Sequence, residues 1–513
     1  MSTPGEHQQA ALTTAVAELC TDLRPQVSAG TAAGFDEVLR RLSAPLQLAV
    51  AGRIKSGKST LVNALIGRRV APTDVGECTR LVTRYQYGTV DRVEVVFRDG
   101  STEALPFGVD GGIPAELGVD LDEVSHLEAY LTNAVLRDLT VIDTPGLGSL
   151  DAASVARTEQ LLGAREPDED DELDPTSRSA VAGAEAVLYV VTQAVRADDR
   201  EALAAFTAAT AGREAGPVNA LAVLNKADTV EPDSVSGAEG DTWRAAELLA
   251  AEQARGLGSR VAAVLPVIGL LAETAETGGF TAADAQALRE LAGLDEQTRE
   301  SLLLSADLFT SWECPVPEEA REGLLERLDL HGVRRALAEL DADPDITTGD
   351  LRRALLAASG LPAVLQRLDT AFRSRADGIK AAAGLASVAA LAQASGDPGE
   401  QQRVHDAIEA LLARPEAHQL RLLEALTLVS SGAVEMPEDL AEEVLRIGGS
   451  AEPAERLGLP GKGHQELTDY ALERAGWWRS FASFGATPAQ SRVAHVVHRA
   501  YFLIWQQLRS ERT

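Results

Sequence analysis

The sequence predicts an α/β domain, a mostly parallel sheet with helices on both faces, joined to a long α-helical bundle. Three observations predict it. Apolar strand-like runs alternate with helical stretches between residues 46 and 268, the pattern of parallel strands buried on both faces. Beyond roughly residue 283 the strand signals stop, and the chain becomes rich in Ala, Leu, Glu and Arg at helical period. Aromatics make up only 4% of the 513 residues, which favours helix over a β-sandwich.

The elements follow in order. Ala11, Leu12, Val16, Leu19 and Leu23 recur at helical spacing, as do Phe35, Val38, Leu39 and Leu42, so residues 7 to 43 form two helices. Pro45 ends that pattern. Leu46 to Ala51 is a buried strand by composition, and Leu139–Asp143, Ala186–Thr192, Ala220–Leu224 and Val261–Ile268 repeat it. Arg92 to Phe97, followed by Asp99-Gly100, is one arm of a hairpin. Glu166 to Asp174 is too charged to pack and belongs to a surface loop. Helical patterns then run to the end, broken at Gly396–Gly399, Gly448-Gly449 and Gly458–Gly461. The expected domains are 1–44, helices joining the bundle; 45–282, the α/β domain; and 283–513, the bundle.

The formal net charge of −31 opposes non-specific binding to nucleic acid or to an anionic membrane, so lipid contact needs a local patch. Cys20, Cys78 and Cys314 fit neither a disulfide framework nor a zinc site and read as reduced thiols. Met1 to Ala11 has no signal-peptide core, and no apolar run reaches the roughly 18 residues that span a bilayer. A cytoplasmic location is expected.

Three motifs carry chemistry. Gly52-Arg53-Ile54-Lys55-Ser56-Gly57-Lys58-Ser59, followed by Thr60, fits G-x-x-x-x-G-K-[ST] between a strand and an apolar-periodic helix. Its glycines let backbone N–H groups point at phosphate oxygens. Lys58 offers a point charge to the β- and γ-phosphates, Ser59 a magnesium ligand, and the helix N-terminus partial positive charge. Asp143-Thr144-Pro145-Gly146 ends a strand, placing the Asp143 carboxylate to hold magnesium, directly or through water, and the Gly146 N–H to sense the γ-phosphate. Asn225-Lys226-Ala227-Asp228 follows another strand. Asp228 can accept from guanine N1–H and the 2-amino group, Lys226 lies along the base, and Asn225 braces the loop. Adenine offers neither donor, and leaving a buried carboxylate unpaired discriminates by roughly 10⁴-fold. After Val264 to Ile268, Gly269 and its neighbours are further candidates to offer an N–H to guanine O6, with no specific motif to identify them.

Together, in this order and each at a strand end, these motifs resemble the GTPase superfamily, which makes the α/β unit a P-loop GTPase (G) domain. Gly76-Glu77-Cys78-Thr79-Arg80 falls where the first switch belongs, and with the P-loop sequence and layout it resembles the dynamin superfamily. Within it, the actinobacterial dynamin-like proteins of the isoniazid-inducible, IniC-like type are the most similar. The resemblance implies GTP hydrolysis with Mg2+, and Thr79 closing on the metal and γ-phosphate. It further implies self-association through the G domain and membrane remodelling at the inner face of the plasma membrane. A second reading is a nucleotide-gated assembly partner of another dynamin-like protein, with slow hydrolysis. A third, action on ribosomal RNA, conflicts with the charge and the lack of a basic RNA-binding module.

Two departures from the family pattern stand out. Leu147 occupies the place of a water-orienting glutamine in Ras-like proteins, and Ile54-Lys55 replace the dynamin glutamine and serine. Guanylate-binding relatives carry an arginine finger at the place of Lys55, so the resemblance implies that the Lys55 ammonium supplies that charge; the competing reading is a solvated loop lysine. In the helical half, Ala381 to Ala394 reads as a packed helix. Trp477-Trp478-Arg479-Ser480-Phe481 with Phe484 suits either a membrane interface or the bundle core, the core being the commoner fate of large aromatics. His495 and His498 have no companion ligands and read as packing or surface residues.

Overall fold

The computed structural model describes residues 4–53, 55–72, 81–108, 111–114, 116–144, 184–193, 203, 219–258, 261–414, 417–430, 434–448 and 452–510. The chain opens with two helices, α1 (Pro4–Leu23) and α2 (Ala29–Ser43). Ser28 caps α2 by accepting from the Thr31 N–H.

One sheet of nine strands follows. Its members are β1 (Leu46–Gly52), β2 (Thr83–Tyr87), β3 (Arg92–Phe97), β4 (Thr102–Leu105), β5 (Val124–Leu131), β6 (Leu139–Asp143), β7 (Ala186–Val191), β8 (Ala220–Asn225) and β9 (Val264–Val267). The spatial order is β4-β3-β5-β2-β6-β1-β7-β8-β9. The half from β6 to β9 is parallel throughout, and its central strands are buried along their length. The other half is mixed: β2 runs parallel to β5 but antiparallel to β6, and β3 pairs antiparallel with β4 and β5.

The apolar runs of the sequence became the parallel half, and the Asp99-Gly100 hairpin joins β3 to β4. Strand β9 is shorter than the expected 261–268, covering Val264–Val267 at the sheet edge, where Pro266 removes one ladder donor. Strands β2 and β5 carried no apolar signal. They read Thr-Arg-Tyr-Gln-Tyr and Val-Ser-His-Leu-Glu-Ala-Tyr-Leu, and bury only alternate or widely spaced residues.

The sheet's two faces nucleate separate cores. One face and the helices from Thr242 to Ala358 share a cluster running from Ala49 to Leu355. The other packs helix α3 (Lys58–Ile66) and the helix Leu361–Ala371, in a cluster reaching from Leu46 to Ile379. The expected domain limit at residue 282 therefore falls inside cores that include the strands.

Beyond Ala376 the chain is a helical bundle, which α1 and α2 join. The Asp377 carboxylate accepts from the Leu12 and Thr13 N–H groups at 3.3 and 3.2 Å. Glu400 Oε2 accepts from the Ser28 N–H at 2.8 Å, and Glu400 Oε1 accepts from the Thr31 hydroxyl. Helix Ala376–Ala394 buries Ala381, Leu385 and Val388 against α1 and α2, as a packed helix should. In a second cluster Trp478 is fully buried and donates to Glu443 at 2.9 Å, while Trp477 (39% exposed) and Phe484 (94% exposed) face outward. The aromatic run thus divides between core and surface. His498 Nδ1 lies 2.7 Å from the Ala475 carbonyl, and His495 is exposed. Among the described residues there is no metal-ligating cluster of His, Cys, Asp or Glu, and no helix long and apolar enough to cross a membrane. Cys20 and Cys314 are free thiols; Cys78 and the acidic stretch 166–174 lie outside the described residues.

Candidate functional site

The site forms where the chain leaves the C-terminal ends of β1, β6 and β8, the usual ligand crevice of an open parallel sheet. At the end of β1, Gly52 lies at φ +151, and a Cβ there would stand 2.5 Å from the Val190 carbonyl oxygen of β7. The loop then alternates handedness. Lys55 (φ 60) and Gly57 (φ 87) are both left-handed, which curls successive N–H groups into an anion-binding nest. Gly57 leads directly into α3, whose first turn adds its unpaired N–H groups. A Cβ on Gly57 would meet Asn225 Nδ2 at 2.3 Å, so only glycine lets the two loops touch.

Lys58 is 7% exposed and donates to the Arg53 carbonyl at 3.0 Å across the loop. Burial pulls its ammonium below the usual lysine range, and the Asp143 carboxylate opposes that shift. Ser59 donates to Asp143 Oδ2 at 2.9 Å. Asp143 is 9% exposed, and its Oδ1 has no hydrogen-bond partner. Burial pushes its carboxyl up to about 6, while Lys58, Ser59 and the Thr144 N–H pull the other way. A buried carboxylate oxygen with no donor, beside a hydroxyl, is the donor set a hard divalent cation requires. Ser59 and Asp143 therefore fit magnesium. Next in the chain, Thr144 anchors the turn after β6 by donating from both N–H and hydroxyl to the Val50 carbonyl.

Asn225 ends β8 and joins three loops. Its Nδ2 donates to the Ser56 carbonyl at 2.7 Å, and its Oδ1 accepts from the N–H groups of Lys226 (2.8 Å) and Gly269 (2.9 Å). Replacing it with alanine leaves a buried carbonyl and a buried N–H unpaired, each worth about 1–3 kcal/mol. Asn225→Ala is therefore expected to lower the chemical-denaturation midpoint and weaken nucleotide binding together; unchanged stability would count against the bracing role. The Gly269 N–H is already committed to Asn225, so it does not offer a contact to guanine O6.

Lys226 is left-handed (φ 57) and exposed, and Asp228 sits in the following 3-10 turn, Ala227–Thr229. Burial raises the Asp228 carboxyl above the ordinary range; among neighbouring side chains, His331 and Lys226 lower it and Asp329 raises it. His331 and Asp329 come from the helix Glu318–Ala342, which kinks at Asp329. Their approach to the Asp228 turn was invisible in sequence, because about a hundred residues separate them.

The P-loop and the Asp143 and Asn225 segments meet through these bonds. Lys55 is exposed at the loop apex. Thr60 is the third residue of α3, in its first turn. Ile54, Thr79 and Gly146 lie outside the described residues.

Sequence reasoning missed Asn63. It is buried in α3, accepts from the Val70 and Ala71 N–H groups at 2.9 and 2.7 Å, and donates to Glu273 at 2.7 Å. It thereby fixes the backbone at Val70 and Ala71. The available signal was one amide amid Leu61-Val62-Asn63-Ala64-Leu65-Ile66, a polar group that burial would oblige to find partners.

Comparison with known proteins decides the family. Residues 48–226 match the Dynamin family. The isoniazid-induced protein IniC of Mycobacterium tuberculosis is 33% identical over 456 residues, which is 88% of this chain and 87% of that protein. The chain belongs to the dynamin family. Shorter stretches of this dynamin-like GTPase are similar to two other members. The bacterial dynamin-like protein of Nostoc punctiforme is 32% identical over 133 residues, 23% of this chain and 18% of that one. The isoniazid-induced protein IniA of Mycobacterium tuberculosis is 29% identical over 136 residues, 24% of this chain and 20% of its own. The IniC-type resemblance read from the P-loop and first-switch residues thus extends over most of the chain.

Proposed function

We propose that this dynamin-like GTPase binds GTP with Mg2+, hydrolyses it, and couples the cycle to self-assembly and membrane remodelling. The observation carrying this reading is the Ser59–Asp143 hydrogen bond with Asp143 Oδ1 left unpartnered, on the same P-loop that the Asn225–Ser56 bond ties to β8. The P-loop N–H groups and Lys58 cradle the β- and γ-phosphates. Ser59, Asp143 and Thr79 hold the metal, Asp143 directly or through water. The bound metal would neutralise charge developing on the transferred phosphoryl group. Gly146 senses the γ-phosphate, and Asp228 with Lys226 selects guanine.

Lys55 supplies positive charge in the transition state. A left-handed backbone (φ 60) and an exposed side chain within the P-loop support this reading. Lys55→Ala should lower turnover at saturating GTP by about 10³-fold, the scale of an arginine finger, with GTP affinity nearly unchanged. Rapid-quench turnover checks this, and a wild-type rate would return Lys55 to a solvated loop lysine.

The packing favours a division between G domain and bundle near residues 372–376 rather than at 282, because the helices up to Ala371 share cores with the strands. Exposed Phe484 and Trp477 support lipid contact by the bundle. The test of the whole reading is GTP turnover with sedimentation in GTP, GDP and a transition-state mimic, each with and without liposomes. Assembly in the mimic with lipid-stimulated turnover supports it. Slow turnover indifferent to lipid favours instead a nucleotide-gated partner of a second dynamin-like protein.

A further inference from the structure

A buried arginine with no counter-ion among the described residues lies where the sheet-bearing half meets the bundle. Arg375 ends the 3-10 turn Arg373–Arg375 and immediately precedes the helix Ala376–Ala394. It is 4% exposed, and its Nη2 has no hydrogen-bond partner. The chain carries 78 acidic residues against 47 lysines and arginines, so an ordinary buried guanidinium would have carboxylates in excess to draw upon. Among the described residues, the charges bearing on Arg375 are instead two more guanidiniums. Burial first, then Arg456 and Arg367, push it down to about 10.

The positive field continues outward. Arg456 donates from Nε to the Ile447 carbonyl at 2.8 Å and is itself pushed down to about 10 by burial. His418 has an unpartnered Nε2. Burial and the guanidiniums of Arg499, Arg456 and Arg421 push its imidazole down to about 4, so it is neutral at pH 7. Arg421 and Arg499 are exposed, so the cluster runs from a buried floor to the surface.

We propose that Arg375, Arg456 and His418, rimmed by Arg421 and Arg499, form a binding site for a phosphate-bearing anion. An isolated buried charge is unfavourable unless something neutralises it, and truncating one of several like charges then relieves strain rather than adding it. Guanidinium forks match tetrahedral phosphate oxygens in pairs, and a neutral imidazole N–H adds a donor without adding repulsion. A multiply charged phosphate answers several cations at once, where a single carboxylate would answer only one. The source is either a lipid headgroup or a soluble phosphate ester, and both present the same chemistry. The five residues are separate from the P-loop, so this site is independent of the nucleotide.

The test uses the full chain. Thermal unfolding is followed in inorganic phosphate or pyrophosphate against chloride at equal ionic strength, in wild type and in Lys58→Ala, which disables the P-loop. Phosphate should raise the midpoint in both proteins. Arg375→Met should melt higher than wild type in chloride and lose the phosphate increment, whereas a purely structural arginine would melt lower. Arg499→Ala, at the rim, should keep the chloride midpoint and bind phosphate several-fold more weakly. Binding to vesicles of phosphatidic acid but not phosphatidylcholine, lost in both arginine variants, assigns the site to a headgroup. A phosphate effect without vesicle binding assigns it to a soluble ester. The proposal fails if phosphate stabilises no more than chloride, if Arg375→Met keeps the full increment, or, should that variant not fold, if Arg499→Ala binds phosphate like wild type.

Discussion

Asp228→Asn should abolish the preference for guanine over adenine nucleotides, a change of roughly 10⁴-fold in relative affinity. The Asp228 carboxylate can accept from two donors on the guanine edge. An asparagine places an N–H₂ against one of them, so a favourable contact becomes a donor–donor clash. The loss on GTP is large because burial, which raises the Asp228 carboxyl above its ordinary range, also strips away the water that would soften a mismatch. The same geometry predicts a gain. Xanthosine triphosphate carries an oxygen where guanine carries its amino group, and the new amide can donate to it. Competition binding with the three nucleotides reads the outcome. A variant that still prefers GTP strongly over ATP would remove Asp228 from the base pocket, and recovery of binding with the xanthine nucleotide excludes misfolding as the cause.

Asp143→Asn should stabilise the ligand-free protein while disabling it. The folded-state value of about 6 lies above the ordinary 3.8 of an aspartate, so the fold prefers the protonated form. Stability contributed by protonation is fully present below about pH 4 and is lost as pH rises through about 6. At pH 7 the charged carboxylate therefore costs the fold on the order of 1–3 kcal/mol, an amount already net of its attraction to Lys58. The neutral amide removes that cost, so the variant's unfolding midpoint should exceed wild type at pH 7 and equal it near pH 4. The effect on function has the opposite sign. An amide is a poor ligand for a hard divalent cation, and losing one such electrostatic contact typically lowers turnover by about 10²–10³-fold. Wild-type Mg2+-dependent GTP binding should weaken as pH falls below about 6, because the carboxylate must lose its proton to serve. Denaturation curves at the two pH values and steady-state turnover check both halves. A variant less stable than wild type at pH 7 would mean that Asp143 is held by a partner rather than waiting for one.

Both predictions concern residues in contiguous motifs. Lys58, Ser59, Asp143 and Asp228 stand out in the sequence because phosphate and guanine chemistry would demand fixed residue types over a few consecutive positions, each next to an apolar strand. The parallel half of the sheet was legible for the same local reason: β1, β6, β7 and β8 are buried on both faces and must be continuously apolar. Strands β2 and β5 were not, since their backbones pair while their side chains alternate between core and solvent. Nor was the fate of the Gly269 N–H, which its place after β9 made a candidate for guanine and which tertiary packing gives to Asn225.

By itself, the sequence determined the fold class, the P-loop motif and the family, because each is written in short-range periodicity or in contiguous motifs. Only the tertiary structure decided what depends on distant partners. It tied Asn225 to Ser56, brought the kinked helix at Asp329 and His331 up to Asp228, and drew the helices beyond residue 282 onto the sheet. It also left Arg375 buried among like charges. Burial and electrostatic environment are set by whatever the rest of the chain packs against a residue, and no local stretch of sequence contains that information.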